Sequence, residues 1–153
     1  MRSMRSPAEL TSAFRAQGLK VTPQRQLLFR LLHGNQAHPS AEALFQVASE
    51  QMPGISLRTV YQTLTDLATM GELRQLSLGG GSSRFDPNVD DHHHLVCHEC
   101  GDVRDVYVHD VASLTDGVRA ADVDGFEVDT TFIVFGGRCA ACAARSSSTA
   151  TSS

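Results

Sequence analysis

Pro53-Gly54-Ile55-Ser56-Leu57-Arg58-Thr59-Val60-Tyr61-Gln62-Thr63-Leu64 decides how the first half of this chain is read. Pro53-Gly54 is a turn dipeptide, and Ser56 stands where a helix N-cap is wanted. Beyond it Leu57, Val60, Leu64, Leu67 and Ala68 recur on one face at helical spacing. Arg58, Gln62 and Asp66 take the opposite face, with Thr59 and Tyr61 on its flanks. Working outward, Ser6-Pro7-Ala8-Glu9 has a capping-box pattern and opens a helix to about Gln17. Thr22-Pro23 starts a second helix with Leu27, Leu28, Leu31 and Leu32 inward. Ser40 starts a third with Leu44, Val47 and Ala48 inward. Downstream, residues 72–78 and 83–86 read as strands around the turn Gly79-Gly80-Gly81-Ser82.

Helices followed by a two-stranded hairpin are the order of a winged helix-turn-helix. The helix after Pro53-Gly54 is then the reading helix and the hairpin the wing. A small helical bundle with a loop fits the same pattern and stays as the alternative. In the reading helix, Arg58 and Gln62 can contact base edges bidentately, and Tyr61 can pack on thymine methyls or reach a phosphate. Thr59 joins them as a candidate DNA contact, and Arg25 and Arg74 are weaker candidates for phosphate.

The charge distribution supports a division of labour. The whole chain of 153 residues carries a net charge of −4. Residues 1–75 hold eight Lys/Arg against five Asp/Glu, whereas residues 76–153 hold five against twelve. A mildly basic half suits phosphates and an acidic half suits cations. No apolar stretch approaches the roughly 18 residues of a membrane span, and no apolar segment follows Arg2 and Arg5 as a secretory signal requires. A cytoplasmic location is therefore expected, where paired cysteines bind metal more often than they form disulfides.

The second half carries those cysteines. Cys97/Cys100 and Cys139/Cys142 are two Cys-x-x-Cys pairs, and four thiolates suit a structural zinc ion with no open position. Two disulfides are the alternative. The long gap between the pairs means that such a site clamps the two ends of a domain rather than forming a local finger. Just ahead lies Asp90-Asp91-His92-His93-His94. If this run is extended, His92 and His94 project to one side and His93 to the other. His92 and His94 can then share an ion, with nearby Asp86, Asp90, Asp91 and Asp105 as candidate carboxylates. Nitrogen and oxygen donors of this kind suit iron or manganese better than zinc. Strands are expected at 94–97, 103–108 and 126–135, a helix at 110–122, and a structureless tail after Cys142. So thin a core gains from a metal crosslink and from pairing into a dimer.

Several segments in combination resemble the ferric uptake regulator family. They are His38-Pro39-Ser40-Ala41-Glu42, Ser56-Leu57-Arg58-Thr59-Val60-Tyr61, Ser83-Arg84-Phe85-Asp86, Asp91-His92-His93-His94-Leu95-Val96-Cys97-His98-Glu99-Cys100-Gly101 and Cys139-Ala140-Ala141-Cys142. The resemblance covers roughly residues 8 to 142. It implies an α+β chain with an N-terminal winged helix-turn-helix DNA-binding domain over 1–86. A small α/β metal-binding dimerisation domain with a four-cysteine zinc site would follow over 87–142, with a disordered tail over 143–153. It further implies a homodimeric, metal-dependent repressor of operator DNA, not an enzyme. A regulatory Fe(II) or Mn(II) site would draw on His38, Asp86, His92, His94 and Asp105, and Lys20 would contact DNA before the second helix. Zinc-sensing members use cysteine at the Asp86 position, and iron-sensing members place glutamate where Asp105 stands. Aspartate there is similar to the peroxide-sensing branch, and an iron- or manganese-uptake repressor is the alternative. A third metal site of some members would fall on Ala112 and Thr131, which ligate poorly, so it is expected to be absent. From another class, a metal-dependent hydrolase would need an open metal position and a placed base, and Glu99 between two cysteines is the only close glutamate.

Overall fold

The computed structural model describes residues 3–78, 81–114, 125–126 and 131–149. The chain divides into two compact units, Met1–Asp90 and Asp91–Ser153.

The first unit is a winged helix. Helices α1 (Pro7–Ala16), α2 (Pro23–Leu32), α3 (Ala41–Gln51) and α4 (Leu57–Thr69) precede the antiparallel hairpin β1 (Arg74–Leu76) and β2 (Arg84–Asp86). Each helix starts where its cap stands. Ser6 closes a full capping box with Glu9, and Thr22, Ser40 and Ser56 accept from the amides of Arg25, Ala43 and Thr59. These oxygens satisfy amides that the first helical turn leaves without partners. The core gathers Leu10 and Phe14 of α1, Leu27, Leu28, Phe29 and Leu32 of α2, and Val60, Leu64 and Leu67 of α4. The Phe14 and Phe29 rings meet edge to face with centroids 4.8 Å apart. Arg25 lies over Phe14 and bonds Asp66 at 2.9 Å, tying α2 to α4. It is thereby engaged inside the unit, which weakens its candidacy as a phosphate contact.

Two inward positions depart from expectation. Val47 is 46% exposed, because α3 turns Leu44 and Ala48 to the core and leaves Val47 on the rim. Leu57 is exposed at the start of α4, while Thr63 is fully buried. The Thr63 hydroxyl donates to the Thr59 carbonyl at 2.8 Å, so a polar side chain sits in the core without an unmet bond. The wing strands are shorter than the spans expected, and Gly79 and Gly80 of the predicted turn lie outside the described residues.

The second unit is built on β3 (His93–Cys97), which pairs antiparallel with β4 (Val103–Val106) and parallel with β5 (Val134–Gly137). The strand expected over 126–135 is therefore later in the chain; residues 131–133 are not strand, and 127–130 lie outside the described residues. The shift has a reason in the pairing. Cys97 stands opposite Gly137, so β3 and β5 run side by side and each ends at its own Cys-x-x-Cys. Of the helix expected over 110–122, residues 111–114 are helical and 115–122 lie outside the described residues. The tail expected to lack structure from 143 is instead helical as far as Thr149, in α5 (Ala140–Thr149). Its alanines favour a helix, it grows from the second cysteine pair, and the Ser146 and Ser147 hydroxyls bond carbonyls one turn back. Residues 150–153 lie outside the described residues.

Candidate metal centres and nucleic-acid interface

Parallel pairing of β3 and β5 brings all four cysteines together. The sulfurs of Cys97, Cys100, Cys139 and Cys142 lie within 4.8 Å of one another, and none forms a disulfide. Cys100 and Cys139 are 3.8 Å apart. A disulfide needs about 2.05 Å, whereas a tetrahedron of roughly 2.3 Å zinc–sulfur bonds has edges of about 3.8 Å. The four residues form a zinc-type tetrathiolate centre. Backbone N–H groups of Cys100 and then Cys139 donate to the Cys97 sulfur and bring its pKa down to about 6, which favours the ligating thiolate. At Cys142 the Arg145 guanidinium pulls the thiol downward, but burial and the neighbouring thiols prevail and push it up to about 12. Arg145 donates to Cys142 Sγ at 2.9 Å from one turn further along α5. Sequence reading missed this residue, although its three-residue offset from Cys142 puts it on the same helical face.

A second donor set stands on β3, the residue just before it, and β4. His92 Nε2 and His94 Nε2 are 3.1 Å apart, and both approach Asp105 Oδ1, at 3.2 and 3.5 Å. His94 and Asp105 are cross-strand partners, which places the carboxylate opposite the imidazole. Three atoms converging at such separations mark the corner of a coordination shell. His93 turns away, as strand alternation requires. Its Nδ1 accepts from the Ile133 N–H at 3.2 Å. Burial, then the neighbouring His92 and His94, lower its pKa, so it stays neutral and structural.

The first unit contributes its own pair. His38 Nε2 lies 3.3 Å from Asp86 Oδ2, and both residues are buried. Among the described residues, His38 is the only non-glycine with positive φ, at 49°. That backbone costs free energy and persists where surroundings over-determine it. Here β2 does so: Arg84 donates to the His38 carbonyl at 3.1 Å and Phe85 N–H to the Pro39 carbonyl at 2.9 Å. Asp90 and Asp91 are not drawn into either donor set among the described residues. Asp90 N–H instead bonds Asn88 Oδ1 at 3.2 Å.

The candidate reading face lies on α4. Arg58, Tyr61 and Gln62 are exposed and Thr59 is half-buried. Thr59 Oγ1 bonds Ser56 at 2.9 Å, Gln62 donates to Asp66 at 3.2 Å, and the Tyr61 hydroxyl donates to Glu42 of α3. The Glu42 carboxylate accepting this bond raises the Tyr61 pKa, so the phenol keeps its proton. Lys20 is exposed between α1 and α2, its carbonyl held by Arg25 at 2.9 Å. No helix among the described residues is long and apolar enough to cross a membrane.

A winged helix, a zinc-type tetrathiolate centre and a separate imidazole-carboxylate set are the parts of a metal-responsive transcription regulator. The Ferric uptake regulator family model matches residues 16–135. The chain belongs to the ferric uptake regulator family, whose proteins are transcription regulators rather than enzymes. It is 35% identical over 118 residues to the peroxide-responsive repressor PerR of Staphylococcus epidermidis, covering 75% of this chain and 79% of that protein. Among solved structures it is similar to the Helicobacter pylori ferric uptake regulator Fur, with a TM-score of 0.74 and 18% identity over 94% of this chain and 97% of that one. It is also similar to the ferric uptake regulator from Pseudomonas aeruginosa with manganese, with a TM-score of 0.62 and 28% identity over 85% of this chain and 97% of that one.

Proposed function

We propose that this chain is a metal-dependent repressor of operator DNA that responds to peroxide. The single observation that carries the reading is the convergence of His92, His94 and Asp105, a mixed nitrogen and oxygen set that suits Fe(II) or Mn(II). Its aspartate at 105 accords with the peroxide branch, as does the likeness to a peroxide-responsive repressor. In this reading His38 and Asp86 of the first unit join the three donors of the second around one ion. Ligands drawn from both units favour the arrangement in which two reading helices of a homodimer enter successive major grooves. The shift cannot exceed the metal's preference for that state. Going from mostly free to mostly DNA-competent takes about 5.5 kcal/mol of such preference.

Arg58 and Gln62 reach base edges, with Tyr61, Thr59 and Lys20 beside them. Exposed Leu95, Tyr107, Val134 and Phe135 give the second unit an apolar surface suited to pairing with a second copy. Fe(II) held there would supply the redox chemistry that cleaves hydrogen peroxide, which Mn(II) would not. By resemblance to the peroxide-sensing branch, His38 and His92 would be the ligands open to oxidation. Peroxide, a two-electron oxidant, would leave one oxygen on the imidazole and the other as water, and the oxidised ring would ligate poorly and release the operator. The test loads the protein with Fe(II) or Mn(II), adds peroxide, and follows operator binding together with histidine mass. The expected result is loss of DNA binding and a gain of one oxygen in the iron form alone. An iron form that keeps its operator affinity and its mass leaves a metal-uptake repressor as the reading.

A further inference from the structure

The first three described residues of the chain run beside the segment that follows β2. Met4 N–H donates to the Pro87 carbonyl at 2.9 Å, and Ser3 forms a β-bridge with Asn88. Met4 is 2% exposed with its side chain in the helical core, and Arg5 is bonded through backbone and side chain to the Glu72 carboxylate. From the other side, Arg74 donates to the Val89 carbonyl at 3.1 Å. The segment 87–89 is thus held on both flanks and belongs to the first unit.

What it holds is a carboxylate. Asn88 N–H donates to Asp86 Oδ1 at 2.9 Å, and the other oxygen, Oδ2, faces His38 Nε2 at 3.3 Å. Fixing the Asn88 backbone therefore fixes one oxygen of Asp86 and aims the other. We infer that residues 3–5 are a strap that positions Asp86 for the regulatory metal. Met4 and Asn88 are positioning residues that act through Asp86 and touch no metal themselves. The inference rests on the proposed reading that Asp86 is a metal ligand. Its physical basis is that groups orienting a ligand contribute to metal affinity although they lie outside the coordination shell.

The test measures Mn(II) affinity, zinc content and operator binding of the full chain. Asn88→Pro removes the amide that holds Oδ1. Met4→Pro removes the donor to Pro87, and Met4→Leu serves as a control that keeps both packing and donor. Both proline variants should bind Mn(II) about tenfold more weakly or worse and keep one zinc per chain. Their operator binding should return to the original plateau at saturating Mn(II), as a positioning role requires. Met4→Leu should match the parent. If Asn88→Pro does not fold, judged by zinc content and melting, the Met4 pair decides. Asp86→Ala separates the two levels. If Asp86→Ala binds Mn(II) like the parent, the proposed site fails and the strap with it. If Asp86→Ala weakens Mn(II) binding while the folded proline variants do not, the site stands and the strap is overturned.

Discussion

The two donor sets of this protein are assembled in opposite ways. All four sulfurs come from the second unit and are set by one local device, the parallel register of β3 and β5. The imidazoles and carboxylates are divided: His92 just before β3, His94 on β3 and Asp105 on β4 belong to the second unit, while His38 before α3 and Asp86 on β2 pair within the first. A centre completed within one unit can only hold that unit together. In the proposed reading, donors shared between two units report on, and bias, the state of both. Chemistry follows the same division, since four thiolates suit zinc, which has no redox activity, and mixed nitrogen and oxygen donors suit metals that have it.

The largest expected effect falls on the staple. Cys142→Ser removes one of four ligands from a small unit whose folding leans on the ion, and structural zinc contributes roughly 10 kcal/mol or more of apparent free energy. Metal analysis should find the zinc lost, and circular dichroism should show the second unit unfolded while the winged helix persists. A variant that keeps its β-sheet without zinc breaks the comparison at its root.

The cysteines themselves sharpen it next. The Cys97 thiol sits near 6 and that of Cys142 near 12. A lowered pKa leaves Cys97 a thiolate above about 6, protonated as pH falls through that value, whereas Cys142 keeps its proton throughout the neutral range. In a brief alkylation pulse given as zinc is withdrawn, before the unit unfolds, mass spectrometry at about pH 7.5 should therefore find Cys97 labelled well ahead of Cys142, with Cys97 labelling falling away below about pH 6. Equal labelling would show that the backbone amides around Cys97 do not discriminate. A smaller effect is expected at the reading face. Arg58→Ala should weaken operator binding by about 1–3 kcal/mol in a gel-shift titration and leave the Mn(II) midpoint unmoved.

Much of this was legible in the sequence where the cause is local. Capping residues and proline punctuation marked the four helix starts, because an N-cap acts within one turn. The separation of His92 and His94 from His93 followed from strand alternation alone. The features that were not legible depend on distant partners. Val47 lies at a spacing compatible with either side of the buried face, and only the packing of α3 decides it. The start of β5 is set by which residues of β3 it pairs with, across a long intervening segment. Helix α5 is poor in large apolar residues, and its anchor is the cysteine pair from which it grows. The hold of Met4 on Pro87 joins opposite ends of the first unit, and nothing in either segment announces the other.

The central claim is that a single ion draws on donors from both units, and Mn(II) binding to His38→Ala tests it most directly, with His92→Ala alongside. Either substitution should weaken the same Mn(II) site, leave zinc at one per chain and abolish metal-dependent operator binding. Mn(II) bound by His38→Ala as tightly as by the parent chain would contradict the account, because the second unit would then hold the ion by itself.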